Sequence, residues 1–257
     1  MTDQPASHDP RGPRLLLMGG STATGLGVRG RSFGRLCAER LGSASVLDLT
    51  GSGPLIDEAM LRAEEIRQFR PDVALVCCGH AEVLVHPPQR FQACLERFAP
   101  ASWHGVAGLQ PRPYFSTSSS ARRFRQRLTS WAKVRVKRGA MRLGSHQRMD
   151  LPDFADHLDA LLALLREAGT RVLVVGTWPI DEDLFPRSNQ AWEALAAVLR
   201  EAAAKHGAEF VDPTPELDVW GDYLADHMHW SASGHERLAG VVTARIDVSP
   251  STVGRQQ

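Results

Sequence analysis

The sequence predicts an α/β fold, a three-layer α/β/α sandwich with a central five-stranded parallel sheet and a basic helical insertion after the third strand. Short apolar segments alternate with longer segments whose apolar residues recur at helical spacing, which is typical of a parallel sheet. The third short segment, residues 72–78, is continuously apolar after its first residue, as strands buried on both faces are. The segment that follows it spans about 70 residues before the next predicted core helix, far more than a simple crossover requires.

Each predicted element is bounded by local signals. Glycines or polar residues follow the strands, and Gly169 and Gly207 stand just beyond two of the helices, where glycine commonly ends a helix. The predicted strands are residues 15–18, 46–49, 72–78, 171–175 and 209–211. The predicted helices are residues 32–41, 56–69, 154–168, 191–206 and 232–245.

The length and charge of the chain limit its organisation and its partners. Its 257 residues fit one large domain with an insertion, and 30 basic against 29 acidic residues leave a net charge of +1. A charge so close to zero favours neither a nucleic acid nor a membrane as partner. We expect disordered tails at residues 1–13 and 248–257, a single domain over residues 14–247, and an inserted lid at about residues 86–150.

The cysteines and the N-terminal segment bear on the cellular compartment. Cys37, Cys77, Cys78 and Cys94 show no CxxC spacing, and the pattern predicts reduced, buried side chains. Residues 1–14 are polar, and the apolar run that follows them is too short for a signal peptide or a membrane span. The sequence therefore predicts a cytoplasmic protein.

The first predicted strand ends at two glycines, and a serine follows them at once. Because Gly19 and Gly20 carry no Cβ, the chain can turn sharply there and a ligand can approach Ser21 closely. Ligands of open α/β sheets bind at this rim. Ser21 is therefore a candidate nucleophile, and an N-cap serine at a strand-to-helix turn is the alternative.

A second polar cluster precedes the last predicted helix. Asp226 lies three residues before His229, a spacing at which the carboxylate can hold the imidazole while the ring points at a neighbouring strand end. The two residues would supply the base and the orienting acid of a catalytic triad. Alternatively, His227, His229 and His235 could bind a metal together with Asp226. Ser231 is expected to cap the following helix in either case.

A glycine motif raises the alternative of a dinucleotide site. Gly25, Gly27 and Gly30 match GxGxxG, and Asp48 ends the second strand at a spacing that suits a ribose contact. In dinucleotide-binding folds the motif opens directly off the first strand, whereas residues 19–24 intervene here. The spacing therefore argues against a dinucleotide cofactor.

The inserted segment is strongly basic. Between Arg112 and Arg148 it contains eleven lysines and arginines and no acidic residue. Phe124, Leu128, Trp131 and Val134 fall at helical spacings, so a basic amphipathic helix is expected. One interpretation is a solvated basic face that is packed on the domain by its apolar stripe. The others are recognition of an anionic carrier or substrate, and contact with a membrane surface or a nucleic acid.

The chain resembles the SGNH/GDSL hydrolase superfamily, whose members include serine esterases and lipases with a flavodoxin-like fold. The resemblance rests on four weak blocks that occur in the family order, each at a predicted strand end or before a predicted helix. They are Gly19-Gly20-Ser21, Ser52-Gly53, Gly79-His80-Ala81-Glu82 in place of GxND, and Asp226-His227-Met228-His229 for DxxH.

This resemblance implies an acyl-ester hydrolase that works through an acyl-serine intermediate without a metal or cofactor, on a small-molecule or carrier-linked ester. It makes Ser21 the nucleophile, His229 the general base and Asp226 the partner of that base. The backbone N–H groups of Ser21 and Gly53 would bind the oxyanion, with His80 as a candidate third donor.

Two residues depart from the family pattern. Gly20 replaces an aspartate, and Ala81 replaces the asparagine whose side chain completes the oxyanion hole in the family. Two alternatives therefore stay open. One is an acyltransferase or carrier-linked esterase whose basic lid docks an anionic substrate, and the other is a binding protein with an impaired site. Trp178, Phe185, Tyr114 and Trp131 are candidate wall or lid residues around a substrate.

Overall fold

The computed structural model describes residues 12–52 and 55–247. The predicted C-terminal tail, all but two residues of the predicted N-terminal tail, and Gly53 lie outside the described residues. Within them, one parallel sheet of five strands carries the order β2-β1-β3-β4-β5. The strands are β1 Arg14–Gly19, β2 Ser45–Thr50, β3 Val73–Cys77, β4 Arg171–Val175 and β5 Glu209–Val211.

Helices connect the strands and cover both faces of the sheet, which confirms the predicted α/β fold class. α2 packs on α9 in one layer, and α7 packs on α3 and α8 in another. The helices are α1 Ser21–Thr24, α2 Phe33–Arg40, α3 Ile56–Met60, α4 Ala63–Phe69, α5 Gln89–Phe98, α6 Ser120–Ala140, α7 Leu151–Glu167, α8 Ser188–His206 and α9 Ala232–Asp247.

One predicted helix is two in the structure. The apolar spacing over residues 56–69 indicates a continuous helix, but α3 ends at Met60 and α4 begins at Ala63. The chain leaves the helical region at Arg62, where φ is −101° and ψ is 15°. Leu61 is exposed at this break. The prediction of one helix is therefore wrong, although both halves lie where helix was expected.

The core explains why β1 and β3 are so apolar. Leu15, Leu16 and Leu17 of β1 are buried, and every residue of β3 is buried too. These two strands are neighbours in the middle of the sheet, so helices cover them on both sides. In this strand order the connections leave β1 and β3 in opposite directions, and the crevice between their carboxyl ends is where such folds bind ligands.

The basic insertion consists of α5, α6 and the loops around them. His86 and His146 close its base, because the backbone N–H of each donates to the carbonyl of the other at 2.8 and 2.9 Å. α5 buries none of its residues, and α6 buries only a few near its C-terminal end. The insertion is therefore far more exposed than the sheet and the helices that cover it.

The cysteine prediction is wrong at one position. Cys37, Cys77 and Cys78 are buried free thiols, and burial raises the pKa of Cys77 to about 12. Cys94 is exposed, because it lies on α5. None of the helices in the described part of the chain combines the length and the apolar composition needed to cross a lipid bilayer.

Candidate active site

Ser21 lies at the carboxyl end of β1, immediately beyond the glycine turn. Gly19 adopts φ +150°, and a Cβ at that position would lie 2.4 Å from the carbonyl oxygen of Cys77, so only glycine fits. Gly20 is the N-cap residue, and Ser21 is the first residue of α1. Ser21 is therefore not an N-cap, and its backbone N–H has no acceptor within the helix. That N–H is available to an anionic group.

The structure brings Ser21, His229 and Asp226 together in one hydrogen-bonded chain. Ser21 Oγ lies 2.7 Å from His229 Nε2, and His229 Nδ1 lies 2.7 Å from Asp226 Oδ2. His229 and Asp226 are buried. Asp226 Oδ1 also accepts the backbone N–H groups of Met228 and His229, at 3.2 and 3.1 Å. Both carboxylate oxygens of Asp226 are thus hydrogen-bonded, and its contact with Nδ1 favours the tautomer in which Nε2 can accept a proton from Ser21.

A second histidine and aspartate pair supports this turn. His227 adopts φ +52°, a left-handed conformation that is costly for a residue with a Cβ. Its Nδ1 lies 2.8 Å from Asp181 Oδ2, and its ring stacks on Trp220 at 4.6 Å. The carbonyl of His227 also accepts the backbone N–H of Asp181. The sequence analysis missed Asp181, because it lies 46 residues away and carries no motif.

Glu82 ties two loops at this edge of the sheet. It is buried, and its two carboxylate oxygens accept the backbone N–H groups of Ile56 and Gly79, each at 3.1 Å. Ile56 starts α3, and Gly79 follows β3. Burial raises the pKa of Glu82, whereas these backbone donors lower it. Glu82 therefore connects the start of α3 with the segment that follows β3.

The structure describes only some of the positions that were expected to form the oxyanion hole. Gly53 lies outside the described residues. Ala81 is half-buried, and a Cβ placed on Gly20 would lie 3.9 Å from its Cβ, so the two positions that depart from the family pattern face each other. His80 stacks on Trp178 at 4.1 Å, and its Nε2 lies 3.3 Å from the carbonyl of Gly176.

The structure argues against His80 as a third donor. Burial lowers the pKa of its imidazole to about 3, so the ring is neutral and carries one N–H. The contact of Nε2 with the Gly176 carbonyl places that proton on Nε2 and leaves Nδ1 as an acceptor. The side chain therefore has no N–H to offer an oxyanion.

The predicted wall and lid aromatics divide into two groups. Trp178 and Phe185 are buried in the core and do not line a substrate cleft. Trp178 supports the turn that carries His229, since its Nε1 donates to the carbonyl of Met228 at 2.8 Å. Tyr114 and Trp131 are exposed on the insertion. A separate cavity of about 270 Å³ adjoins Gly20 and is lined by Leu49, Thr50, Leu55, Ile56, Cys78 and Glu82 among others.

The structure also bears on the two alternatives to a triad. The GxGxxG residues form turns between α1 and α2 and do not open a helix. Asp48 is engaged by Arg35 at 2.7 Å, and it also accepts from Thr50. The histidines near Asp226 contact different groups, since His227 meets Asp181 whereas His235 Nδ1 accepts the backbone N–H of Phe33. Neither a ribose contact nor a joint metal site fits these pairings.

Comparisons with known proteins place the fold and the family. Among solved structures, Axe2, an acetylxylan esterase from Geobacillus stearothermophilus, is 15% identical with a TM-score of 0.57, covering 95% of this chain and 98% of that one. TesA is 17% identical with a TM-score of 0.56, covering 91% and 97%. A GDSL-like lipase from Bacteroides thetaiotaomicron is 12% identical with a TM-score of 0.55, covering 91% and 87%. At these identities the likeness concerns the fold.

The sequence itself identifies the family. No curated protein sequence matches this chain. The profile of the GDSL-like lipase/acylhydrolase family matches residues 17–237, from β1 into α9, and so includes Ser21, Asp226 and His229. Because the match covers most of the chain, this protein belongs to the GDSL-like lipase/acylhydrolase family.

Proposed function

We propose that this chain is a serine esterase that hydrolyses carboxylic esters through an acyl-serine intermediate. The observation that carries the proposal is the hydrogen-bonded chain from Ser21 through His229 to Asp226, with 2.7 Å at both steps. An isolated serine hydroxyl is a weak nucleophile, and an adjacent base held by a third group is the usual way to activate it. Membership of an acylhydrolase family supports the same reaction class.

In the first half of the reaction, Ser21 Oγ attacks the ester carbonyl while His229 Nε2 takes the hydroxyl proton. The protonated imidazole is stabilised by Asp226, which faces its other nitrogen at 2.7 Å. When the tetrahedral intermediate collapses, the bond to the alcohol oxygen breaks, and His229 returns the proton to that oxygen. The alcohol leaves, and the acyl group remains on Ser21.

In the second half, water replaces the alcohol. His229 takes a proton from water as the hydroxide oxygen forms a bond to the acyl carbon, and the bond to Ser21 Oγ then breaks. Oγ recovers its proton from His229, and the carboxylic acid is released. The cycle consumes one ester and one water and leaves Ser21, His229 and Asp226 unchanged.

The oxyanion that forms in both halves needs hydrogen-bond donors. The backbone N–H of Ser21 is one, because Ser21 is the first residue of α1 and its N–H has no acceptor within that turn. We assign the backbone N–H of Gly53 as the second on the family resemblance. Ala81 offers no side-chain donor, and a missing donor typically lowers turnover by about 10² to 10³. We therefore expect a slow esterase.

Two structures of one neighbour, Axe2, are consistent with the assignment of Asp226 as the acid and His229 as the base. Structures of Axe2 are described as catalytic mutants at an aspartate and at a histidine three positions further along that chain. Asp226 and His229 have the same separation. Axe2 acts on acetyl esters by its description, so short acyl esters are the first substrates to offer.

A fluorophosphonate probe and hydrolysis of p-nitrophenyl acetate test the proposal together. Wild type is expected to be labelled and active, and Ser21→Ala to lose both properties. Ser231→Ala is a matched control, because Ser231 lies in the same loop as His229 but contacts Ser233 and the N–H of Gly234. Equal labelling of wild type and Ser21→Ala would refute the nucleophile, and an inactive wild type would indicate a binding protein.

Hydrolysis and acyl transfer share the acyl-serine and differ in the acceptor. Offering each acyl donor with and without an added alcohol distinguishes them. An esterase releases the free acid at a rate that the alcohol leaves nearly unchanged, whereas a transferase forms the new ester faster than the acid. The same measurement with carrier-linked acyl donors tests the remaining alternative.

A further inference from the structure

The N-terminal half of α6 carries an apolar ridge that faces solvent. Phe124, Leu128 and Trp131 share one side of the helix by their spacing of four and three residues, and their side chains are 69%, 52% and 57% exposed. The packed side is a different one, formed by Ser130, Val134, Lys137 and Ala140. The interpretation in which the apolar stripe attaches the helix to the domain is therefore wrong for three of its four residues.

Arginines surround this ridge. Residues 121–131, which we call the α6 arm, include Arg122, Arg123, Arg125 and Arg127, all exposed, and no acidic residue. At 100° per residue, Arg123 and Arg125 project to opposite flanks of Phe124. Arg122, Arg125 and Arg127 make no ion pair with any carboxylate in the described part of the chain. Like charges at these spacings destabilise a helix, so an anionic partner would stabilise the arm.

The arm also contains a cleft that suits an anionic headgroup. Arg112, Arg122, Arg125, Gln126 and Thr129 line an open cleft of about 320 Å³. Three guanidinium groups and the Gln126 amide group carry donors of the kind that bind phosphate oxygens, whereas the Thr129 hydroxyl donates to the carbonyl of Arg125. The cleft has no acidic side chain in its lining. The cleft is therefore complementary in charge to a phosphate group, although its α6 residues lie on the side of the helix roughly opposite to the ridge.

The arm is connected to the active-site loop. The carbonyl of Pro113 accepts the backbone N–H of Ala225, next to Asp226, at 3.0 Å. Three residues further on, the N–H of Ser116 donates to Gln126 Oε1 on the arm at 2.7 Å. Tyr114 is exposed between these two attachment points. The segment of residues 113–116 thus links the arm to the loop that carries Asp226 and His229.

We propose that the α6 arm docks this protein on the surface of a phospholipid bilayer that contains anionic lipids. The ridge of Phe124, Leu128 and Trp131 enters the boundary between headgroups and acyl chains, while the flanking arginines bind phosphate groups. A second copy of the chain does not fit, because two arms would repel each other. A nucleic acid would satisfy the arginines but leave the contiguous apolar ridge without a role, and an acidic protein would need an apolar groove matched to the ridge, whereas an anionic bilayer offers charge and an apolar phase without such a match. The docking does not depend on the esterase reaction.

Co-sedimentation with vesicles tests the docking. The full-length protein is expected to bind vesicles of equal parts phosphatidylcholine and phosphatidylglycerol, to bind phosphatidylcholine alone much more weakly, and to dissociate as salt is raised. Replacing Arg122, Arg125 and Arg127 together by glutamine should weaken the partition coefficient on the order of 100-fold at low salt. Failure of the wild type to bind the anionic vesicles would overturn the proposal.

A control variant isolates the arm from the total charge. Replacing Arg67, Arg166 and Arg200 by glutamine removes the same charge from exposed positions elsewhere, and should change the partition coefficient less than threefold. If this control lost as much binding as the arm variant, the attraction would be unspecific and the proposal would fail. Thermal unfolding of both variants checks that each is folded. Ser21→Ala should bind vesicles as the wild type does, so this test is independent of the proposed function.

The ridge distinguishes a membrane from other polyanions. Lipids brominated on their acyl chains should quench tryptophan fluorescence of the wild type, and Trp131→Phe should bind equally but lose most of that quenching. Replacing Phe124, Leu128 and Trp131 by serine should weaken vesicle binding at least tenfold. If it changed nothing, or if inorganic phosphate or an oligonucleotide at the same phosphate concentration displaced the protein completely, the arm would be a polyanion site and the membrane proposal would be wrong.

Discussion

The carboxyl edge of the sheet and the α6 helix both collect charged side chains, but they treat them in opposite ways. At the edge, Asp226, His229 and Glu82 are buried and each is hydrogen-bonded to a defined group. On α6 the arginines of the arm are exposed without ion pairs to described carboxylates, and Lys137 is buried with no hydrogen bond to any described group. Paired groups hold a geometry that chemistry can use. Unpaired groups indicate a surface that can bind a partner, as on the arm, or a buried charge that destabilises the fold, as at Lys137.

The largest effect is expected where a buried pair at the edge is broken. Asp226→Asn keeps the shape of the side chain but removes the charge and lets His229 adopt the wrong tautomer, so kcat should fall about 10⁴-fold with KM little changed. Steady-state hydrolysis of p-nitrophenyl acetate measures it. A loss below tenfold would mean that Asp226 does not set the tautomer of His229. The contrast between paired groups at the sheet edge and unpaired groups on α6 would then lose its strongest support.

The next largest effect is expected to be a gain in kcat at Ala81, whose side chain has no hydrogen-bond donor for the oxyanion. Ala81→Asn should raise kcat by about 10- to 100-fold, because the family resemblance assigns this position to an oxyanion-hole asparagine and the residue faces Gly20, which has no side chain. Ala81→Asp is the matched control, since the ionised carboxylate has nearly the same shape but no hydrogen to donate. Equal activity of Ala81→Asn and wild type would indicate an oxyanion hole that is complete without a side chain.

A smaller loss of kcat is expected when the pair of His227 and Asp181 is broken. This pair positions the turn that carries His229 and does not touch the substrate. Asp181→Asn weakens its bond to His227 and should lower kcat about tenfold, since a loosened turn moves His229. His227→Gly should retain more activity than His227→Ala, because glycine adopts the φ of +52° without strain. The reverse order would show that the ring of His227, and not its backbone, carries the effect.

On α6 a substitution should stabilise the protein. Lys137 is 1% exposed, its Nζ lies over the ring of Phe185, and burial lowers its pKa to about 8. Lys137→Met removes a buried charge that has no partner carboxylate among the described residues, and should raise the free energy of unfolding by about 1 kcal/mol at pH 6. Thermal or urea unfolding measures this gain, and Lys133→Met, on the same helix but bonded to the carbonyl of Ser102, is the control.

The same variant has a defined pH dependence. The pKa of Lys137 is lower in the folded chain than in the unfolded chain, so between about pH 8 and 10 the folded state releases the proton while the unfolded state keeps it. Wild-type stability should therefore rise with pH through this window relative to Lys137→Met. The advantage of methionine is full below pH 8 and shrinks towards pH 10. An advantage that does not change with pH would mean that the pKa of Lys137 is the same in the folded and the unfolded chain, so that burial does not lower it.

Much of the fold could be predicted from local patterns, and the failures have physical reasons. β4 and β5 were predicted to the residue, because an apolar run followed by glycine or polar residues is a local signal. The break between α3 and α4 was missed, since the apolar spacing continues across Leu61 and Arg62. The sequence makes Trp178 a candidate cleft residue and equally a core residue, because an aromatic side chain after a strand gives the same signal in both places, and the structure buries it in the core.

The candidate site could be predicted in part for the same reason. Asp226 and His229 lie in one loop, so their three-residue spacing already indicates contact. Asp181 supports that loop from another segment, and no local pattern could have found it. The family resemblance supplied the link to Ser21, which is 208 residues from His229 along the chain.

The sequence by itself determined the five strands and most of the core helices, that Phe124, Leu128 and Trp131 share a helix face, and which serine, histidine and aspartate are candidates for catalysis. Only the tertiary structure decided that Ser21 Oγ and His229 Nε2 are 2.7 Å apart and that this helix face meets solvent instead of the core. Periodicity depends on neighbours along the chain, whereas burial and catalytic distances depend on what the topology packs against each face.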